Sequence, residues 1–273
     1  MKMFKLIFNF YINASIHVAF GVYAFLRITE LYYDLPNNQI LNYFVFFGTI
    51  TGYNFVKYAG VAKLHHRSLT KDLKIIQIFS LFAFLALCYF AYQVPRETLF
   101  LTIPFCLLTV LYAVPFLSGF EKSLRQISYL KIVVVALVWA AFTVLIPFVD
   151  ADKEINTNIV LMLLQRFLIV VILILPFDIR DVQFDAISLQ TIPKKIGVKK
   201  TKKLGLILLI IALLLEYFIS DLSKVKTPFM LFFFITILFL MRAKTVQSKY
   251  YSSFWVELLP VLWWLLLLGF DNF

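Results

Sequence analysis

Three aspartates that follow a long apolar segment have the spacing of metal ligands. They are Asp178, Asp181 and Asp185. If a helix continues through them, they fall within about 60° of arc and form one acidic face. Carboxylate oxygens are the ligands that Mg²⁺ prefers, and water and substrate phosphates complete its shell. The spacing therefore predicts a Mg²⁺-bridged diphosphate site, although a solvated helix end neutralised by Arg180 and nearby lysines explains the same pattern.

A second group of polar residues lies inside apolar segments. Lys57 follows Asn54 by one helical turn and shares its face. Such a lysine either snorkels to the headgroups or faces the protein interior, where it pairs with the aspartates or with a diphosphate. We expect the interior position. Asn9, Asn13 and His17 share a face within about 80° of arc, and they either line the same cavity or form hydrogen bonds between helices.

The composition of the 273 residues indicates which class of protein holds these groups. Hydrophobic residues make up 62% and charged residues 15%, and the mean hydropathy is +0.88. Because a soluble domain is about 45–50% apolar, soluble, fibrous and disordered classes are excluded and a polytopic membrane protein remains. The net charge of +11 is explained by basic cytoplasmic loops and does not predict a nucleic-acid partner.

The sequence predicts an all-α membrane protein with nine transmembrane helices, since a helix needs about 20 apolar residues to cross the bilayer core. Nineteen Lys and Arg residues lie on one predicted side and five on the other. Basic residues collect in cytoplasmic loops, so the N-terminus is predicted to be cytoplasmic and the C-terminus outside. We expect residues 1–273 to form one transmembrane domain. The expected location of this multi-pass protein is the cell (inner) membrane. The predicted spans are 5–27, 39–60, 73–92, 98–117, 130–149, 159–177, 204–219, 228–241 and 254–270.

Other charged and aromatic residues in these segments are predicted to have simpler roles. Arg166, Glu216 and Glu257 lie near predicted helix ends, where long side chains reach the headgroups. Interfacial or lipid-facing positions suit Trp255, Trp263 and Trp264.

Two segments resemble motifs of the UbiA-type intramembrane prenyltransferases. The stretch DIRDVQFDAISLQTIPKKIG, from Asp178 to Gly197, is similar to that family's second aspartate-rich motif, DxxDxxxD, and to the Thr-x-Pro…Gly tail that follows it. Nine helices with a cytoplasmic N-terminus are also the family's topology. The upstream match to the family's YxxP…LR…LK segment consists of Tyr112-Ala-Val-Pro115, Leu124-Arg125 and Tyr129-Leu130-Lys131.

This resemblance implies an enzyme that binds a prenyl diphosphate through Mg²⁺ and transfers the prenyl group to an acceptor, often an aromatic ring. Metal and cationic side chains stabilise the charge that develops on the departing oxygen. The implied partners are a prenyl diphosphate, an unknown lipophilic acceptor and the lipid bilayer. The implied catalytic and metal-binding residues are Asp178, Asp181 and Asp185. The implied substrate-binding residues are Asn54, Lys57, Tyr58, Tyr112, Arg125 and Lys131.

The first aspartate-rich motif departs from the family pattern NDxxDxxxD. Only Asn54 remains, while Phe55, Tyr58 and Ala62 replace the three aspartates and Lys57 adds a positive charge. We therefore predict a divergent prenyltransferase in which Lys57 lies within reach of the aspartate face and partly replaces the lost metal ligands. The alternative is a catalytically impaired homologue that binds a prenyl lipid or a partner enzyme. A transporter is disfavoured, because the polar residues gather at one membrane edge and carriers bind their cargo at the midplane.

Overall fold

The computed structural model describes residues 2–58, 71–114, 130–183, 191–220 and 223–271. Within these ranges the chain is helical and contains no strand, which confirms the predicted all-α class. α6 continues into α7 through a wider, π-helical turn at Ala141–Leu145, and a second such turn at Tyr251–Val256 precedes α12. The helices are α1 (Lys2–Asn13), α2 (Ile16–Tyr32), α3 (Gln39–Tyr58), α4 (Lys71–Gln93), α5 (Arg96–Ala113), α6 (Leu130–Ala140), α7 (Ile146–Asp150), α8 (Thr157–Asp181), α9 (Ile192–Ile196), α10 (Val198–Ile219), α11 (Ser223–Arg242) and α12 (Leu259–Asp271).

Local backbone chemistry accounts for several of the breaks. α1 and α2 meet at an angle of 55°, and Ser15 between them has a left-handed conformation with φ of 62°. Pro147 has no N–H to donate to the carbonyl of Thr143 one turn earlier, so the helix widens there. That carbonyl instead accepts a hydrogen bond from the Thr29 hydroxyl at 2.6 Å. Gly197, with φ of 82°, separates α9 from α10.

The long helices form a ring around a central space. α2 packs against α3 and α12, α8 packs against α6 and α10, and α11 packs against α10 and α12. α5 contacts α3 and α6, while α4 packs along α3. Large apolar side chains such as Phe82, Phe218 and Phe234 are exposed on the outside of the ring. An apolar outer surface is what a lipid-facing bundle requires.

Six helices of the described residues are long and apolar enough to cross a membrane, or seven if α1 and α2 together form one bent span. The predicted span 5–27 is therefore broken near Ser15 and is not one straight helix. The predicted spans 39–60 and 204–219 coincide with α3 and α10. Asn and Lys residues lower the hydropathy of α3, and α10 begins with lysines, so nine crossings and the orientation of the termini stay predictions.

A buried charged network corrects three of the simpler interpretations. Arg166 is completely buried, and its guanidinium donates to the Phe25 carbonyl at 2.6 Å and lies 4.3 Å from the centroid of the Phe25 ring. Glu216 is also buried and accepts a hydrogen bond from the Tyr32 hydroxyl at 2.9 Å. The prediction that Arg166 and Glu216 reach the headgroups is wrong, because partners inside the bundle satisfy them. Trp263 is buried as well and does not face lipid.

Candidate functional site

A cavity of about 1600 Å³ lies inside the ring of helices. Charged and amide side chains line the end that contains the C-terminal turns of α1, α3 and α8 and the first turn of α6. The remainder is lined mainly by apolar residues, among them Val22, Phe44, Val45 and Phe142, together with several threonines and Arg96. From Lys57 to Val45 the wall formed by α3 extends for about 18 Å. The cavity therefore offers a polar end to a charged group and a long apolar interior to a hydrocarbon.

The predicted aspartate face begins at this polar end, on the last turn of α8. Asp178 is buried, and its Oδ1 pairs with the Lys131 ammonium from α6 at 2.9 Å. Asp181 lines the cavity and pairs with the neighbouring Arg180, whose Nε lies 2.7 Å from its Oδ1. Asp185 lies outside the described residues. Two carboxylates and two cations are thus brought together at one edge of the cavity.

The predicted residues of the YxxP…LK segment lie next to this cluster. Tyr112, near the end of α5, and Lys131, at the start of α6, both line the cavity. Arg125 lies outside the described residues. Deeper in the wall, the Trp139 indole donates to the Tyr53 hydroxyl at 2.9 Å and joins α6 to α3. The polar cluster therefore gives way to apolar walls within a few turns.

The residues compared above with the first aspartate-rich motif hold the break between α1 and α2. Side chains from the last turns of α3 donate to three consecutive carbonyls at the end of α1. The three hydrogen bonds are Lys57 Nζ to Ile12 O at 3.5 Å, Tyr58 Oη to Asn13 O at 3.0 Å and Asn54 Nδ2 to Ala14 O at 3.1 Å. The end of a helix leaves such carbonyls without partners. Here, residues that the family resemblance assigned to substrate binding cap a helix.

Lys57 does not form the ion pair that the sequence predicted. Its side chain lines the cavity, as expected, but its ammonium donates to the Ser15 hydroxyl at 3.0 Å. Among the described residues no ion pair joins Lys57 to Asp178 or Asp181. Lys131 and Arg180 neutralise those carboxylates instead, because they lie on the same helix or on its direct neighbour.

The polar face of the first predicted span divides between the cavity and the core. Asn9 and Asn13 line the cavity. His17 is buried, and its ring nitrogens contact the Tyr11 hydroxyl at 2.9 Å and the Phe254 carbonyl at 2.8 Å. His17 therefore ties α2 to the π-helical turn before α12, and both interpretations of this face hold for part of it.

Two cavity residues escaped the sequence analysis. Glu257, which was assigned to the headgroups, lines the cavity and is attracted to Lys57 and Arg180. Lys249 also lines the cavity, and its ammonium donates to Asn9 Oδ1 at 2.8 Å. The positive-inside rule already explained Lys249, and Glu257 lies far along the chain from its neighbours, so no local pattern marked them.

Comparison with known protein families shows which family this chain belongs to. A sequence model described as the UbiA prenyltransferase family matches residues 66–267. The chain belongs to the UbiA prenyltransferase family. No curated protein matches the chain in sequence.

Solved structures share the fold of this UbiA protein over nearly its whole length. A UbiA homolog from Archaeoglobus fulgidus bound to GPP and Mg²⁺ is 12% identical in sequence to this chain. The match spans 97% of this chain and 100% of the homolog, with a TM-score of 0.64. The same homolog bound to DMAPP and Mg²⁺ is 11% identical over 97% of this chain and 99% of its own, with a TM-score of 0.63. A digeranylgeranylglyceryl phosphate synthase is 15% identical, covers 100% of both chains and has a TM-score of 0.59. At these identities the likeness shows a common fold.

The residues of this UbiA protein fit Mg²⁺ at the end of α8. Mg²⁺ is usually bound through one or two carboxylates together with substrate phosphates, and Asp178 and Asp181 supply two carboxylates one turn apart. Within the described ranges no group of three or more acidic, His or Cys side chains could hold a metal ion. Water and substrate phosphates are the ligands that usually complete a Mg²⁺ site held by two carboxylates.

Proposed function

We propose that this UbiA-family protein transfers a prenyl group from a prenyl diphosphate to a lipophilic acceptor at the cytoplasmic edge of the cell (inner) membrane. The observation that carries the proposal is the cavity itself. Its polar end combines Asp181 with Lys131 and Arg180, and its interior is lined mainly by apolar side chains along about 18 Å of α3. A charged head joined to a long hydrocarbon tail matches both parts.

The side chains at the polar end suit the departure of a diphosphate. The bond between the first prenyl carbon and the diphosphate oxygen breaks, and its electron pair leaves with the diphosphate. In this proposal Lys131 and Arg180, which pair with Asp178 and Asp181, also donate hydrogen bonds to that leaving group as its charge grows. The acceptor then forms a bond to the prenyl carbon and loses a proton. Apolar walls exclude water from the reactive carbon.

Asp178 and Asp181 are the residues that would hold Mg²⁺ in this reaction, with Asp185 as a further expected ligand. The ion, when bound, supplies charge neutralisation to the leaving diphosphate. Relatives of the same fold bind GPP and DMAPP with Mg²⁺, which supports the choice of donor. The digeranylgeranylglyceryl phosphate synthase of the same fold works in membranes, which supports the location.

A second candidate function is a homologue that binds a prenyl lipid or a partner enzyme without turning it over. The use of Asn54, Lys57 and Tyr58 as caps on α1 favours it. These side chains replace a metal-binding turn and have a structural task in its place.

Release of pyrophosphate separates the two candidates. Purified protein is incubated with farnesyl or geranylgeranyl diphosphate and Mg²⁺, and both diphosphate binding and pyrophosphate release are measured. The enzyme proposal expects Mg²⁺-dependent release that falls at least about ten-fold in Asp181→Asn, which removes one charge-assisted ligand. Asp152→Asn is the matched control, because Asp152 is exposed and does not line the cavity. Tight binding without release would favour the second candidate.

A further inference from the structure

The first turns of α10 pack closely against the last turn of α11. Gly205 allows this approach, because a Cβ atom built there would lie 2.7 Å from Leu240 Cδ2 and 2.8 Å from Leu175 Cδ1. The close packing places the basic start of α10 beside the basic end of α11 and the connection that follows it. We call the cations at this junction the basic cluster, which consists of Lys202, Lys203, Arg242 and Lys244.

The fold fixes cations of the basic cluster near one another. The Lys202 ammonium donates to the Met241 carbonyl of α11 at 2.7 Å. Burial lowers the pKa of Lys202, and the nearby charge of Lys244 lowers it further. The connection that contains Lys244 is also held in place, because Gln247 Nε2 donates to the Pro176 carbonyl at 3.0 Å. Like charges from two helices therefore meet at one place on the surface.

Among the described residues, no carboxylate lies at ion-pairing distance from the basic cluster. The three ion pairs formed there involve other side chains. Asp178 and Asp181, which lie on the same side of the bundle, are already paired with Lys131 and Arg180. None of the cations in the basic cluster lines the central cavity. The cluster is thus separate from the donor site, and an external anion would relieve the repulsion between its charges.

Exposed apolar stripes continue from the basic cluster along both helices. On α10, the exposed Ile207 and Ile210 follow Lys203 at intervals of four and three residues. On α11, the exposed Leu238 precedes Arg242 by four residues. Residues at these intervals share one face of a helix. A soluble anion would leave these stripes uncovered, whereas a phospholipid has an anionic head followed by apolar chains in the same order.

We propose that the basic cluster and the two apolar stripes bind an anionic phospholipid, with its phosphate at the cluster and its acyl chains along α10 and α11. Basic pockets between transmembrane helices recognise anionic headgroups through the same charge attraction. Phosphatidylcholine binds less well, because the cluster repels its choline cation. The inference goes beyond the proposed function, since this site lies outside the cavity and requires neither a diphosphate nor a metal.

Native mass spectrometry of the purified protein in mixed micelles tests the site. Dioleoylphosphatidylglycerol and dioleoylphosphatidylcholine are supplied in equal amounts, so the two lipids differ only in their headgroups. The first bound lipid is expected to be phosphatidylglycerol with a preference of about ten-fold or more, because each nearby Lys or Arg contributes about five-fold. The double variant Arg242→Gln/Lys244→Gln should lower this preference at least about five-fold. Both side chains are exposed and form no ion pair among the described residues, so the variant should fold normally.

The double variant Lys5→Gln/Lys74→Gln is the charge-matched control. Both lysines are exposed and neither lines the cavity, so two positive charges are removed away from the junction and the preference should stay within about two-fold. Phosphatidylglycerol should also raise the melting temperature of the unaltered protein more than that of Arg242→Gln/Lys244→Gln, because a ligand of the folded state stabilises it. The absence of any preference in the unaltered protein, or an equal loss in both double variants, would overturn the site, since net charge alone would then explain the lipid binding.

Discussion

Replacing Asn54 by Ala tests whether the end of α3 has a structural role. Asn54 is buried, accepts a hydrogen bond from the Ser15 hydroxyl at 2.7 Å, and donates to the Ala14 carbonyl at 3.1 Å and the Ser80 hydroxyl at 2.8 Å. Ser80 keeps its bond to the Ile76 carbonyl at 2.7 Å. Three bonds at about 0.6–1 kcal/mol each predict that Asn54→Ala lowers the free energy of unfolding by about 2–3 kcal/mol.

Reversible unfolding in mixed detergent micelles measures this loss of stability. Tyr58→Phe serves as the comparison with a smaller expected loss. Tyr58 makes one hydrogen bond to the end of α1, to the Asn13 carbonyl, so Tyr58→Phe should cost about 1 kcal/mol or less. The structural role also predicts that Mg²⁺-dependent binding of farnesyl diphosphate stays within a few-fold in Tyr58→Phe. If Asn54→Ala changed stability by less than about 0.5 kcal/mol and abolished diphosphate binding, the capping role would be refuted.

Three further predictions concern the cavity, the buried network and the topology. Gly48→Phe narrows the cavity about 13 Å from Lys57 along α3. Binding of geranylgeranyl diphosphate should therefore weaken about ten-fold, while binding of the shorter geranyl diphosphate should change little. A binding titration with each donor measures both effects. Arg166→Met removes the buried guanidinium from the Phe25 carbonyl and should lower the free energy of unfolding by about 3 kcal/mol, measured by the same unfolding assay. Single cysteines placed in the 178–203 segment of a cysteine-free variant should resist an impermeant thiol reagent in intact cells, and ready labelling there would reverse the proposed orientation.

The fold class and the aspartate face were accessible from the sequence because both depend on local patterns. Long apolar segments require helices that satisfy their own backbone groups in the membrane. The spacing of Asp178 and Asp181 places them on one face of any helix that contains both. The structure puts that face at the polar end of the cavity, where Asp181 lines the wall.

The remainder depended on contacts between distant parts of the chain. The bend between α1 and α2 occurs at Ser15 without a proline or glycine nearby, and its caps come from α3. Arg166 looked like a headgroup contact because its partner, the Phe25 carbonyl, lies 141 residues away. Such partners leave no periodic signal in the sequence, so the roles of Arg166 and Lys57 emerged only from the packed structure.

A structure of the protein with Mn²⁺ and a farnesyl thiolodiphosphate that cannot ionise tests the central claim most directly. Mn²⁺ replaces Mg²⁺ and is located by its anomalous scattering. The account predicts the metal on Asp178 and Asp181, the diphosphate beside Lys131 and Arg180, and the farnesyl chain along the apolar wall of α3. A diphosphate bound elsewhere, or a metal with no contact to either aspartate, would contradict it.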